Sequence, residues 1–165
     1  MAPADLDGVA GIALIGFPDH FEGRDCFENR LTLWPRGCFV LADETDRPLG
    51  YLVAYPWTRD AAPTLNTLIQ AVPTDAGVLY LHDLALTPAV RGQGWSKPAV
   101  KAVIDLAKAG GWPTLALVAV NDAADFWRGH GFAVRKAPGM ADKLASYGPD
   151  ARYMTRTIST DLPSG

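Results

Sequence analysis

The chain has 165 residues, of which 48% are hydrophobic and 20% charged, with a formal net charge of -3 at pH 7. That suits one soluble globular domain over residues 1–165 and excludes disorder. The acidic balance supplies no footprint for nucleic acid. No apolar stretch approaches the roughly 20 residues that span a membrane. The opening "MAPADLDG" is acidic where a secretory leader is basic, so a cytoplasmic protein with no membrane partner is expected.

Cys26 and Cys38 are the only cysteines, too few for a disulfide scaffold or a four-ligand zinc site. They read as reduced core thiols, and no metal site is expected. In chain order, "LDGVAGIALIGF" has near-helical apolar spacing. In "FEGRDCFENRLTLW", Phe21, Cys26, Phe27, Leu31 and Trp34 recur at threes and fours, which predicts a second helix ending at Pro35. "GCFVLA" and "LGYLVAYPW" flank the turn-rich "DETDRP" and predict an antiparallel hairpin. "TRDAAPTLNTLIQAVPTDAG" is a long connection, of a kind that is usually functional or mobile. "VLYLHDLAL" is a strand ending near Pro88, followed by a helix from about Gly94 to Ala109 that stops at Gly110-Gly111. "TLALVAV" is apolar on both faces, as a central strand is. "DAADFWRGHG" predicts a short helix capped by Asn121 or Asp122. "FAVRKA" and "ARYMTRTI" predict two last strands separated by a loop containing "MADKLASYGPD". The order specifies a mixed α/β sheet.

"RGQGWS", at 91–96, joins the central strand to its helix. Such a junction presents unpaired backbone N–H groups at the positive end of the helix dipole, a site for phosphate or pyrophosphate. Gly92 and Gly94 let a ligand approach the main chain, and Arg91 adds a planar, charged donor. Neither a G-x-x-x-x-G-K-[ST] loop nor a G-x-G-x-x-G dinucleotide fingerprint is present. Another phosphorylated ligand stays open on these residues alone, as does a plain αL turn.

"LHDLALTPAVRGQGWS" together with "NDAADFWRGHGF" resembles the GNAT superfamily of acetyl-CoA-dependent N-acetyltransferases. Arg91, Gly94 and Ser96 stand at the defining positions of that family's [RQ]-x-x-G-x-[GA] motif, with Ser96 departing from Gly or Ala. Asn121, Phe126-Trp127 and Gly131-Phe132 match its second motif. The likeness covers roughly residues 50–135 well and the first fifty loosely. It implies a mostly antiparallel mixed sheet with a splayed parallel pair in the middle, flanked by helices. It also implies acetyl-CoA or a close acyl-CoA as co-substrate. The pyrophosphate would sit on the amides of Gln93, Gly94, Trp95 and Ser96, beside Arg91 and Gly92. The pantetheine arm would pair with the backbone of Leu84, Ala85 and Leu86 like an extra strand, with Asn121 and Trp127 on the opposite wall.

Acetyl transfer requires an amine to lose a proton, since alkylamines have pKa values of roughly 10.4. His82 is the only histidine on the central strand and suits a base's work. "YLHDLAL" also resembles the corresponding strand of the arylalkylamine N-acetyltransferases, where histidines two apart serve proton removal; here Tyr80 stands at the first position and His82 at the second. Asp83 is the understudy, although strand neighbours face opposite ways unless a bulge intervenes. The Leu84 N–H is the expected oxyanion donor. Many family members carry a tyrosine acid where this chain has Trp127, which leaves Tyr147, Tyr153 or water. No acyl-enzyme is required. Glu22, Trp57 and Asp60 offer anionic and aromatic surface for a cationic amine. A metabolite amine and a protein amine both stay open as acceptor, as do a homodimer and a non-catalytic acyl-CoA-binding module on the same fold.

Overall fold

The computed structural model describes residues 1–159. Two helices, α1 (Leu6–Gly16) and α2 (Arg24–Leu33), precede the hairpin β1 (Cys38–Ala42) and β2 (Pro48–Trp57). Then follow β3 (Val78–Leu86), α3 (Ser96–Gly110), β4 (Thr114–Ala119), α4 (Ala124–Gly129), β5 (Ala133–Val134), α5 (Ala141–Tyr147) and β6 (Arg152–Thr157). The six strands form one sheet in the order β1-β2-β3-β4-β6-β5. Every neighbouring pair is antiparallel except β3–β4.

The sheet is covered on both faces, which is why β4 reads as a continuous apolar run. On one face, Leu6, Val9 and Ile12 of α1 and Phe27 of α2 pack over Tyr51, Val53 and Tyr55. On the other, Val100, Val103 and Ala107 of α3 pack over Leu79, Leu81, Leu115 and Leu117. That helix stops at Gly111, which adopts φ 74° as a left-handed cap.

Two departures from regular pairing shape the middle of the sheet. The parallel pair is bonded only at Leu79↔Leu115 and Tyr80↔Ala116, so β3 and β4 separate beyond those residues and leave a wedge. The β2–β3 register also slips: Val53 faces Asp83 and Ala54 faces Leu81, which leaves His82 as an extra, unopposed residue. This is a β-bulge, and it re-aims side chains.

Three details differ from the sequence expectation. The loop holding "MADKLASYGPD" contains α5, a 7-residue helix. So short a segment is marginal alone; burial of Met140 and Tyr147 holds it in the core. Neither Asn121 nor Asp122 caps α4: both are left-handed, at φ 53° and 57°, and Ala123 takes the cap position. "FAVRKA" yields only the two-residue β5.

The 58–77 connection has no regular structure but is pinned along its length. Asn29 bonds both the N–H and the carbonyl of Ile69, each at 3.0 Å. The Arg30 Nη1 donates to the Thr67 carbonyl at 2.7 Å, and the Tyr147 hydroxyl donates to that of Pro63 at 2.5 Å. Among the described residues no helix is long and apolar enough to cross a membrane.

Candidate active site

The wedge between β3 and β4 opens into a groove of ≈ 530 Å³ bordered by Leu84–Leu86, Arg91, Gly92, Gly94, Trp95, Ser96 and Asn121. At its far end the chain turns through Gly92 and Gly94, at φ 74° and 85°, into α3. Left-handed backbone favours glycine, and a Cβ built at either position meets nothing within 4 Å. The main chain there is bare toward the groove. Among the described residues, no protein acceptor pairs with the amides of Gly92, Gln93, Gly94 or Trp95.

The side chains around this turn brace it. The Arg91 Nε donates to the Leu86 carbonyl at 2.8 Å, which ties the turn to the end of β3. The Gln93 Nε2 donates to the Ala89 carbonyl at 2.9 Å. The Ser96 hydroxyl lies 3.2 Å from the His130 Nε2. Along β3, the Thr87 N–H donates to Leu49 on the β2 side. Alternation therefore turns the amide groups of Leu84 and Leu86 the other way, into the wedge.

The groove continues inward, past Leu84 and Phe126, to a cleft of ≈ 120 Å³. Its lining includes Glu22, His82, Asp83, Trp127 and Tyr147. The bulge decides its chemistry. His82 lies beside the Tyr55 hydroxyl, Nδ1 to oxygen 3.2 Å, and Asp83 accepts a hydrogen bond of 3.0 Å from the Tyr51 hydroxyl. Tyr51 and Tyr55 belong to one face of the sheet. The two consecutive residues His82 and Asp83 thus point into the same cleft, contrary to the strict alternation of a regular strand.

Glu22, expected as surface charge, is buried. Its Oε1 accepts the His82 Nε2–H, and its Oε2 accepts the Asn66 N–H at 3.3 Å. The two side chains are only 4% and 5% exposed. Burial disfavours charge on Glu22, but His82 and, behind it, Arg30 outweigh this and hold its carboxyl below the usual range. Burial likewise opposes charge on His82, and Glu22 and Asp83 overcome it and raise its pKa. Burial, reinforced by Glu22, pushes Asp83 up to about 6.

Both His82 ring nitrogens are thereby engaged within the protein. The unclaimed acceptor is the second Asp83 oxygen, Oδ1, which has no protein donor among the described residues. Glu22, His82 and Asp83 bring potential ligand atoms within 4.8 Å of one another, but the His82–Glu22 bond and the bonds to Tyr51, Tyr55 and Asn66 already use most of them.

Of the remaining expected site residues, Trp127 and Tyr147 border this cleft, and Trp57, Asp60 and Tyr153 do not. Trp127 is buried in the α3-side core, edge-on to Phe132 at 5.4 Å, with a face on the inner cleft. Tyr147 borders the cleft, but its hydroxyl is committed to Pro63. Tyr153 is buried, 3.0 Å from the Asp60 amide. Asp60 is bound through both oxygens by Arg135, at 2.6 and 2.8 Å, and Trp57 packs edge-on against Tyr55 at 5.7 Å. Cys26 and Cys38 are free and buried.

Residues 11–132 match the model of the acetyltransferase (GNAT) family. The chain is similar in fold to Ard1 from Thermoplasma volcanium, with a TM-score of 0.72 and 16% identity over 96% of this chain and 95% of that one. It is similar also to the GphF GNAT-like decarboxylase in complex with isobutyryl-CoA, with a TM-score of 0.77 and 19% identity over 96% and 97%. Naa20 from Chaetomium thermophilum, solved with a bisubstrate analogue, superposes with a TM-score of 0.72 and 14% identity over 98% and 86%. No curated protein matches the sequence. The family match spans most of the chain, and the wedge, the bare glycine turn and all of the inner cleft's lining but Tyr147 lie within it: the chain belongs to the acetyltransferase (GNAT) family and is an N-acetyltransferase.

Proposed function

We propose that the enzyme moves an acetyl group from acetyl-CoA to a primary amine by direct attack, with no covalent acyl-enzyme. The observation that carries this reading is one continuous channel. It leads from unpaired amides at the start of α3, along the free edge of β3, to buried ionisable groups. A diphosphate on the Gly92–Ser96 turn accepts hydrogen bonds at the positive end of α3. A pantetheine arm in the wedge pairs with the amides of Leu84 and Leu86 as an added strand does. The thioester carbonyl then lies by the Leu84 N–H, which supplies a fixed donor for the developing oxyanion.

The amine attacks as the free base, its ammonium proton having gone to solvent, and the proton it sheds on bonding to carbon goes to the Glu22–His82–Asp83 cluster. His82 was the expected base. Because both its nitrogens are engaged, the direct acceptor we propose is Asp83, with His82 as the cation that keeps two carboxylates compatible in one site. A carboxylate titrating at about 6 is ionised at neutral pH and accepts a proton. As amine nitrogen bonds to carbonyl carbon, the C–S bond breaks. The thiolate, with a pKa of roughly 8.5, then takes the proton back from Asp83. No separate acid is required, which fits Trp127 and the committed Tyr147 hydroxyl. The free thiols Cys26 and Cys38 support the cytoplasm as the compartment.

The test is release of free thiol from acetyl-CoA in the presence of an amine panel. Turnover is expected, with His82→Ala and Asp83→Asn lowering kcat by about 10²-fold or more and leaving acetyl-CoA affinity unchanged. Tight CoA binding without turnover of any amine overturns the reading.

A further inference from the structure

The inner cleft is chemically one-sided. Glu22 and Asp83 border it, and no lysine or arginine does. The nearest guanidinium, Arg30, stands 5.8 Å from the Tyr55 ring centroid, outside the cleft lining; its Nη1 donates to Asn29 and the Thr67 carbonyl, and its buried Nη2 has no protein partner. A carboxylate or phosphate carried by the acceptor would enter beside two carboxylates whose one bordering cation, His82, is already paired with Glu22, an arrangement that low dielectric penalises. Apart from His20, His82 and the tyrosines Tyr80 and Tyr147, the rest of the wall is largely apolar, with Phe17, Leu65, Val120 and Phe126. The cleft is also small, at ≈ 120 Å³; an apolar cavity of about 150 Å³ accommodates benzene.

A second, independent feature lies on the same wall. His20, in the connection between α1 and α2, has its Nε2 2.5 Å from the Tyr147 carbonyl. A carbonyl only accepts, so that nitrogen carries the hydrogen and Nδ1 is left as an acceptor. The Nδ1 is buried and has no partner. Buried polar groups are almost always paired, and an orphan acceptor at the edge of a substrate cleft is completed by a hydrogen that arrives with the substrate.

We infer that the acceptor is a small primary amine bearing an apolar group and no carboxylate or phosphate, whose N–H groups are received by the His20 Nδ1 and Asp83. The inference rests on the acyl-transfer reading and narrows it. The amine nitrogen, held by two acceptors, lies with its apolar group against Phe17 and Leu65.

The experiment compares kcat/KM for phenethylamine, L-phenylalanine, ethylamine and phosphoethanolamine. Phenethylamine is expected to exceed L-phenylalanine and phosphoethanolamine by about a hundredfold, and ethylamine by about tenfold. His20→Ala should lower kcat/KM for phenethylamine by about tenfold to a hundredfold without moving the KM for acetyl-CoA. His20→Asn, which returns an acceptor near the Nδ1 position, should recover part of the loss. Equal turnover of L-phenylalanine or phosphoethanolamine overturns the inference, and so does a His20→Ala enzyme with unchanged amine kinetics. Should no amine be turned over, acyl transfer itself fails. Calorimetric titration of phenethylamine and L-phenylalanine into the protein with CoA then decides the cleft's preference separately: selective uptake of phenethylamine upholds it and equal uptake refutes it.

Discussion

Glu22 and His82, 60 residues apart in sequence, share a buried hydrogen bond that joins the connection just before α2 to the bulge of β3. One end of the pair is fixed by the Asn66 amide and the other by the Tyr55 hydroxyl. The contact therefore ties four separate segments together around the cleft.

Replacing Glu22 by Gln leaves His82 buried without its counter-charge. The folded pKa of Glu22 lies below its ordinary value, so its contribution is present above about pH 4.3 and is lost as acid protonates it. The folded pKa of His82 lies above its ordinary value, so its contribution is complete below about pH 6.5 and fades as pH rises through the raised value. The pair is therefore at full strength between these limits. Breaking it is expected to cost about 3 kcal/mol near pH 5.5, and less at pH 9. Urea unfolding of both proteins across that range measures the difference; a penalty independent of pH would count against an ionic pair.

Asp83 behaves in the opposite sense. Its folded pKa of about 6 lies above the ordinary carboxylate value, so its ionisation costs stability as pH rises, fully so above about 6. Asp83→Asn keeps an acceptor for the Tyr51 hydroxyl and removes that cost. The variant is expected to be more stable at pH 8 by about 1–3 kcal/mol and nearly inactive. The wild-type kcat/KM profile should show an acid limb near pH 6, superimposed on the titration of the amine itself. Its persistence in Asp83→Asn would remove Asp83 from the base role.

How much of this was legible beforehand differs by element. The wedge was implied by the resemblance to the GNAT superfamily, whereas the turn came from local patterns: glycines at 92 and 94 between a β-rich run and a helix. Those are short-range facts, and backbone geometry follows from them directly. The base could not be read the same way. His82 and Asp83 share a cleft only because β2 and β3 slip by one residue at Val53/Ala54, and register is a property of two strands. Glu22 looked like ordinary surface charge because its partner is far away in the chain. His20 gave no signal, since its environment is made by Tyr147 of α5, itself a helix too short to announce its packing.

The phosphate turn gives a prediction that separates binding from folding. A Cβ at Gly94 touches no other part of the protein, but the residue sits at φ 85°. Gly94→Ala should therefore destabilise the fold by only about 1–2 kcal/mol. On the proposed reading the methyl group crowds the main chain that receives the diphosphate, so CoA affinity should fall by about tenfold or more. Calorimetry with CoA and thermal unfolding without it read the two effects independently. Unchanged affinity would place the diphosphate elsewhere.

Tyr147 is the residue whose role the geometry changes most. A phenol facing the leaving sulfur would serve as its acid, and Tyr147→Phe would then lower kcat by about 10²-fold or more. Its hydroxyl instead donates to the Pro63 carbonyl, and its backbone carbonyl accepts from His20. Burial pushes the phenol well above its ordinary pKa, so the proton stays on oxygen throughout the working range. Tyr147→Phe is thus expected to change kcat by less than about tenfold while costing about 1–2 kcal/mol of stability, because the Pro63 carbonyl loses its donor in the interior. The amine KM should rise as well. Pro63 begins the stretch that places Leu65 on the cleft wall, and loosening it widens the space beside the apolar group of the acceptor. Parallel measurement of kcat, amine KM and unfolding free energy separates an anchor from an acid, because only an acid loses kcat at constant amine KM.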